Sequence, residues 1–413
     1  MEHPRQPRAG NGTTPPAEPA RPGSAAEVLL AFLRLGLTSF GGPVAHLGYF
    51  RTEFVERRRW LDDRAYADLV ALCQFLPGPA SSQTGFALGW LRAGWRGALA
   101  AWAGFTLPSA VAMIAFALGI AHSDALASSG AVRGLKIVAV AIVAQAVWTM
   151  GRSLCPDWPR RLLAVLAAAL ALALPSALGQ VGAILACGLL GRLLLRPVHR
   201  PPAALGSFGV PAVTGIAALA LFALLLLGLP LAAAATGSPL LSLLDGFYRA
   251  GALVFGGGHV VLPLLQAAVV PGGAVSNAEF LAGYGAAQAV PGPLFTFAAY
   301  LGAVMNGPLA GWTGGLAFLV AVFLPGLLLV VGALPFWDHL RGRDGIGSTM
   351  AGVNAGVVGI LAAALVDPVF TSSVHSAADA GLALACFAAL VYARLSPVWV
   401  VGFAALAAQL IAP

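Results

Sequence analysis

Residues 32–43 read FLRLGLTSFGGP, and residues 247–258 read FYRAGALVFGGG. In both stretches an apolar, helix-compatible run carries one arginine, Arg34 or Arg249, six residues ahead of Phe-Gly-Gly. Glycine frees the backbone and the following Pro43 removes an N–H donor, so a continuous helix is expected to break here. Working outward, residues 73–85 read CQFLPGPASSQTG and residues 288–302 read QAVPGPLFTFAAYLG. Gln74 with Pro77-Gly78-Pro79 is thus matched by Gln288 with Pro291-Gly292-Pro293. Leu107-Pro108 pairs with Leu324-Pro325, and Gly134-Leu135-Lys136 with Gly352-Val353-Asn354. The offsets are 215 (Gly41 to Gly256), 214 (Pro77 to Pro291), 217 (Pro108 to Pro325) and 218 (Gly134 to Gly352). One repeated Pro-Gly-Pro would carry little weight in a chain with 51 glycines and 29 prolines. An ordered series at nearly constant offset identifies two diverged copies of one unit.

Composition says where those copies sit. Hydrophobic residues make up 59% of the chain and charged residues 9%, against about a quarter charged in soluble domains. Stretches such as Ala98–Ile120, Val132–Met150, Phe208–Ala235 and Trp312–Ala333 are long enough for helices crossing about 30 Å of hydrocarbon. Arg161–Leu178 and Val181–Leu195 are read as further spans. The lipid bilayer is therefore the expected surrounding. The formal charge of +7 rests on 23 basic residues, of which Lys136 is the only lysine. Many of the arginines flank apolar segments, as in cytoplasmic loops, and this argues against a nucleic-acid partner. Cys73, Cys155, Cys187 and Cys386 are scattered without metal or redox spacing. No cofactor is expected: the chain contains neither a GxxxxGK[ST] loop nor an HExxH metal motif.

The organisation read from these patterns is a disordered cytoplasmic tail over 1–24, a repeat over 25–200, a linker with a bridging span over 201–240, and a second repeat over 241–413. The tail holds six prolines and lacks the ordered charged, apolar and cleavage-site parts of a signal peptide. Arg51, Arg57–Arg59 and Arg64 form the densest basic loop, expected in the cytoplasm with the tail. A hairpin broken at Phe40–Pro43 satisfies that, whereas a single crossing does not. Treating Pro-Gly-Pro likewise, and counting onward, places Arg92, Arg96, Arg152, Arg160, Arg161, Arg341 and Arg343 inside and starts the second copy from the opposite side. The predicted fold is an all-α polytopic membrane protein of two homologous inverted-topology repeats with broken or re-entrant helices. It has about nine full spans and four re-entrant segments, an architecture recurrent in transporters. Making the first hairpins true crossings gives about 10–13 spans instead.

The candidate site residues cluster at the breaks. An arginine inside an apolar half-helix costs about 2.5–3.5 kcal/mol on insertion scales, so Arg34 and Arg249 either contact an anion or are paired or snorkelling. Gly41, Gly42, Gly256, Gly257 and Gly258 can bring backbone N–H groups and half-helix N-termini to a ligand, with Pro43 fitting a first helical turn. Close helix packing is the alternative use of such glycines. Pro77, Gly78 and Pro79, and likewise Pro291, Gly292 and Pro293, stop one helix and start the next, leaving Ser81, Ser82 and Thr296 near the opened turn. Their hydroxyls can donate to an oxyanion or back-bond to helix carbonyls. His46 and His259 follow the glycine breaks, out of identical register, as proton-coupling candidates or satisfied polar residues. Gln74 and Gln288 either complete a ligand shell or brace broken backbone. Lys136, facing uncharged Asn354 in the repeat, is a candidate asymmetric positive charge.

Taken together, residues 32–50 (FLRLGLTSFGGPVAHLGYF), 73–85, 255–265 (FGGGHVVLPLL) and 288–302 resemble the signatures of the chromate ion transporter family, the bacterial and archaeal CHR proteins, in its long two-domain form. The resemblance covers Ala25–Pro413. It implies a transporter without enzyme activity, exporting chromate from the cytoplasm with sulfate as a competing dianion. By motif match it implicates the arginines, glutamines, glycines and prolines of the four breaks. The second glycine signature reads Gly-Gly-Gly-His where the first reads Gly-Gly-Pro-Val, so unequal ligand shells are expected. Uptake or exchange of sulfate or another anion is the alternative transport reading, and a membrane-embedded enzyme the rival class. The sequence leaves a homodimer open.

Overall fold

A computed structural model describes residues 23–121, 129–174, 176–195, 209–255, 258–305, 309–337 and 346–411. The expected tail through Pro22, the basic residues Arg196, Arg200, Arg341 and Arg343, and the pair Gly256-Gly257 lie outside the described residues. The first half contains α1 (Ala25–Thr38), α2 (Gly42–Phe50), α3 (Asp63–Phe75), α4 (Ala80–Ala121), α5 (Gly130–Leu154), α6 (Trp158–Ala173) and α7 (Ala177–Leu194). The bridging helix α8 (Ala212–Thr236) leads to α9 (Pro239–Ala252), α10 (Val261–Val269), α11 (Asn277–Ala287), α12 (Phe297–Val304), α13 (Trp312–Ala333), α14 (Ile346–Ala364), α15 (Ala377–Val391) and α16 (Pro397–Ile411).

Short polar side chains set many of the starts. Ser24, Asp62, Ser129, Asp157, Ser176, Ser238 and Ser376 each accept from a first-turn N–H, and Ser276 with Glu279 closes a reciprocal capping box. These caps explain why α6 and α7 begin a few residues ahead of the apolar runs read from sequence. Glycine sets the stops. Gly41 and Gly42 take φ of +101° and +78°, and Gly78 and Gly292 take +127° and +98°, a region that other residues enter only under strain. At 14, 13, 14 and 11 residues, α1, α3, α9 and α11 are too short to cross about 30 Å of hydrocarbon alone. Among the described residues five longer helices are long and apolar enough to do so: Ala80–Ala121, Gly130–Leu154, Ala212–Thr236, Trp312–Phe336 and Gly347–Phe370. Of these α4 is a hairpin. Non-helical angles at Ala93 and Gly94 turn it back, so that legs 80–92 and 95–121 run side by side with Gly89 against Gly97.

Packing follows the repeat. α1 lies on α4, and α9 on α13. The later helices are exchanged: α5 of the first half packs on α15 and α16, while α14 of the second packs on α6 and α7. Close approaches match in pairs across this exchange. A Cβ on Gly134 would strike the Ala404 carbonyl, and one on Gly352 would strike the Cys187 carbonyl. The molecule is thus an all-α polytopic membrane protein of two repeated halves with inverted-repeat organisation. Its outer surface suits lipid: Leu224, Leu227 and Leu231 on α8 are 67%, 65% and 70% exposed.

Candidate functional site

The four breaks meet. The N–H of Gly78, in the first Pro-Gly-Pro, donates to Val254 O beside the second glycine break at 2.7 Å. Reciprocally, the N–H of Gly292, in the second Pro-Gly-Pro, donates to Ser39 O beside the first glycine break at 2.9 Å. Ser39 and Val254 are repeat partners, as are Gly78 and Gly292, so one bond is the symmetry image of the other. Gly258 completes the junction, facing Pro43 and Leu294. Each Pro-Gly-Pro also leans on the long span of the opposite half. Gly78 abuts Gly326 and Gly292 abuts Ser109, each the residue after the matched Leu-Pro.

Around this junction the first half supplies buried polar groups. His46 Nδ1 lies 3.4 Å from Ser81 Oγ, its ring sits edge-on to Phe105 at 5.1 Å, and it lies close to the Ser39 backbone. Gln83 donates from Nε2 to Pro77 O at 2.9 Å and to Gly326 O at 3.0 Å, bracing the broken turn against α13. Ser109 donates to Thr106 O at 3.1 Å. Ser39 Oγ, His46 Nε2, Ser82 Oγ, Gln83 Oε1 and Thr106 Oγ1 are buried and have no hydrogen-bond partner among the described residues.

Of the residues singled out from sequence, Gly41, Gly42, Pro43, His46, Pro77, Gly78, Pro79, Ser81, Gly258, Pro291, Gly292, Pro293 and Thr296 lie on the segments that form this junction. Thr296 donates back to Pro293 O at 2.9 Å and is satisfied. So is His259, whose Nδ1 lies 2.7 Å from the Tyr284 hydroxyl. The two arginines differ. Arg249 forms an ion pair with Asp245, four residues back on α9, whereas Arg34 is exposed on α1 and makes no ion pair among the described residues. Leu30 occupies the position that matches Asp245. Gln74 is exposed on α3, and Gln288 leaves Nε2 without a partner at the end of α11. Lys136 is half-buried on α5, the helix that packs on α11, with no ion pair among the described residues. Sequence reading missed Ser39, Gln83, Thr106 and Ser109. Their signal was present as polar residues within apolar runs: Ser39 directly before Phe-Gly-Gly, Thr106 and Ser109 on either side of Leu107-Pro108, and Gln83 one turn after Pro-Gly-Pro.

Repeated halves, broken helices and a buried polar junction between them define a multi-pass membrane protein of transporter architecture. The sequence pattern of the family described as Chromate transporter matches residues 26–192 and 241–409, and the chain belongs to that family. It is 31% identical over 370 residues to a chromate transport protein of Pseudomonas aeruginosa, covering 88% of this chain and 85% of the relative. A probable chromate transport protein of Synechococcus elongatus is 29% identical over 338 residues, covering 81% and 82%. A chromate transport protein of Cupriavidus metallidurans is 27% identical over 348 residues, covering 82% and 81%. No solved structure matches.

Proposed function

We propose that this chain carries a tetrahedral oxyanion through the junction of its four helix breaks, with chromate as the exported substrate and sulfate as its competitor. The membrane is the cytoplasmic membrane of a bacterium or archaeon. The observation that carries this reading is the reciprocal pair of bonds from Gly78 to Val254 and from Gly292 to Ser39, which gathers the breaks around unpartnered polar groups. Relatives named for chromate transport over most of their length support the substrate.

The chemistry fits an anion. The leg that begins at Ala80 and the helix that begins at Gly42 both start at the junction, and helix N-termini present N–H groups and a positive dipole end. Hydroxyls of Ser81 and Ser82 and the N–H groups of Gly41 and Gly42 add donors, while Arg34 and Lys136 supply positive potential along the route. Energy comes from voltage: two negative charges leaving a cell held at about 100 mV, inside negative, release about 4.6 kcal/mol. That sustains a gradient of about three decades at about 1.4 kcal/mol per decade.

Uptake by everted membrane vesicles tests the reading. Vesicles containing the chain should accumulate chromate, with excess sulfate suppressing it and chloride leaving it unchanged. Accumulation equal to that of vesicles lacking the chain would refute chromate export.

A further inference from the structure

The repeat allows every residue of the junction to be compared with its counterpart, and the two sides differ in kind. Ser39 matches Val254, His46 matches Val261, Ser81 matches Phe295, Gln83 matches Phe297 and Thr106 matches Phe323, at offsets of 215, 215, 214, 214 and 217. Where the first half places hydroxyls, an amide and an imidazole, the second places branched or aromatic carbon. Phe295 and Phe323 lie with ring centroids 5.6 Å apart, and Phe323 meets Trp102 of the first half at 5.8 Å. Phe297 stands at 5.0 Å from Phe280 and 5.8 Å from Tyr284. Phe295, Phe297 and Phe323 are 0–1% exposed, so the space that the symmetry would offer is filled. Thr296, opposite Ser82, donates to its own turn, and His259 and Tyr284, opposite Val44 and Val70, bond each other, so that of the second side's polar groups named above only Gln288 Nε2 lacks a partner among the described residues.

On the first side the polar groups are just as buried, and several of their atoms are unused. Ser39 and His46 are 1% exposed, Ser82 3% and Thr106 0%, and Ser39 Oγ, His46 Nε2, Ser82 Oγ and Thr106 Oγ1 find no partner among the described residues. A buried polar group without a partner is costly, and four of them on the segments that meet at one junction call for a ligand that accepts from them. The charges follow the same division. Arg249 is paired with Asp245, whereas Arg34 has Leu30 in the matching place and makes no ion pair among the described residues.

Resting on the oxyanion reading above, we propose that the chain has one substrate pocket and not two. It is built by Ser39, His46, Ser82 and Thr106 of the first half, and its inverted counterpart has been closed by phenylalanine. The ligand class is a tetrahedral dianion, whose four oxygens accept from neutral hydroxyl and imidazole donors without a cation in contact.

Calorimetric titration of the purified full-length protein with sulfate, and separately with chromate, tests this. One dianion should bind per chain. Ser82→Ala and Thr106→Val should each weaken binding at least tenfold, Thr106→Ser should restore it, and Phe323→Leu should change it less than threefold. Thermal unfolding of each variant checks folding; if Thr106→Val does not fold, Ser82→Ala with rescue by Ser82→Thr carries the test. Two equivalents per chain, or equal losses from Phe323→Leu and Ser82→Ala, would overturn the single pocket while leaving oxyanion transport standing. Failure of folded wild type to bind either dianion would overturn both.

Discussion

Gly292→Ala is expected to loosen the junction by an amount the geometry sets. At φ of +98° an alanine sits in a region costing about 1–3 kcal/mol for a residue with a Cβ. That Cβ would lie 2.6 Å from Ser109 Oγ and 3.2 Å from Phe105 O, an overpacking worth about 1–3 kcal/mol more. The total is about 2–6 kcal/mol, to be read as lowered thermal stability of the detergent-purified protein. The two parts separate experimentally. Ser109→Gly removes the struck oxygen and reproduces the glycine that the other half already has at Gly326, so Gly292→Ala in that background should regain about 1–2 kcal/mol. Gly78→Ala has no such remedy, because its Cβ would meet the Gly326 backbone at 3.0 Å. Strict additivity of Gly292→Ala and Ser109→Gly would refute the contact between the second Pro-Gly-Pro and the first half's span.

Gln83→Leu should lower stability by about 1–3 kcal/mol, since it strands the carbonyl of Pro77, while Gly326 O lies within helix α13; an unchanged melting temperature would show that Pro77 O finds another donor. Arg249→Ala should cost about 3–5 kcal/mol by leaving Asp245 buried and unpaired, whereas Arg34→Ala should fold like wild type and lose dianion affinity, as melting and titration of the two variants will show. In the charged surface segment, burial tends to raise the Glu53 carboxyl, but hydrogen bonds and charge from Arg58 and Arg57 hold it below its usual 4.5. A depressed carboxylate contributes stability above its unfolded value and loses it as pH falls through the folded one. The stability gap between wild type and Glu53→Gln should therefore be full at about pH 6–7 and shrink as pH falls below the carboxyl's usual 4.5; a gap that stays constant on acidification would contradict the pairing.

The breaks were legible in sequence because glycine pairs and Pro-Gly-Pro punctuate apolar runs, and matched spacing exposes the repeat even after side chains have diverged. Their convergence was not, since Gly78 with Val254 and Gly292 with Ser39 are backbone bonds that any residue type could make as acceptor. The exchange of α5 and α14 between halves was hidden for another reason: helices apolar on most faces carry no periodicity that says which neighbour they meet. Single hydroxyls in such helices are ambiguous as well. Thr84 back-bonds to Ala80 O at 2.8 Å, while Ser82 and Thr106 on the same helix do not back-bond, and only coordinates separate the two cases. The arginines looked equivalent because the carboxylate that distinguishes them, Asp245, lies one helical turn away where the first half has Leu30.

Dianion flux in proteoliposomes containing only the purified chain, at a series of imposed membrane potentials, tests the central claim most directly. The claim predicts sulfate and chromate movement toward the positive side that steepens with voltage, and its loss in Gly41→Leu, whose φ of +101° excludes a branched side chain more strongly than any neighbour does. Flux no greater than that of empty liposomes at every potential, or wild-type flux through folded Gly41→Leu, would contradict it.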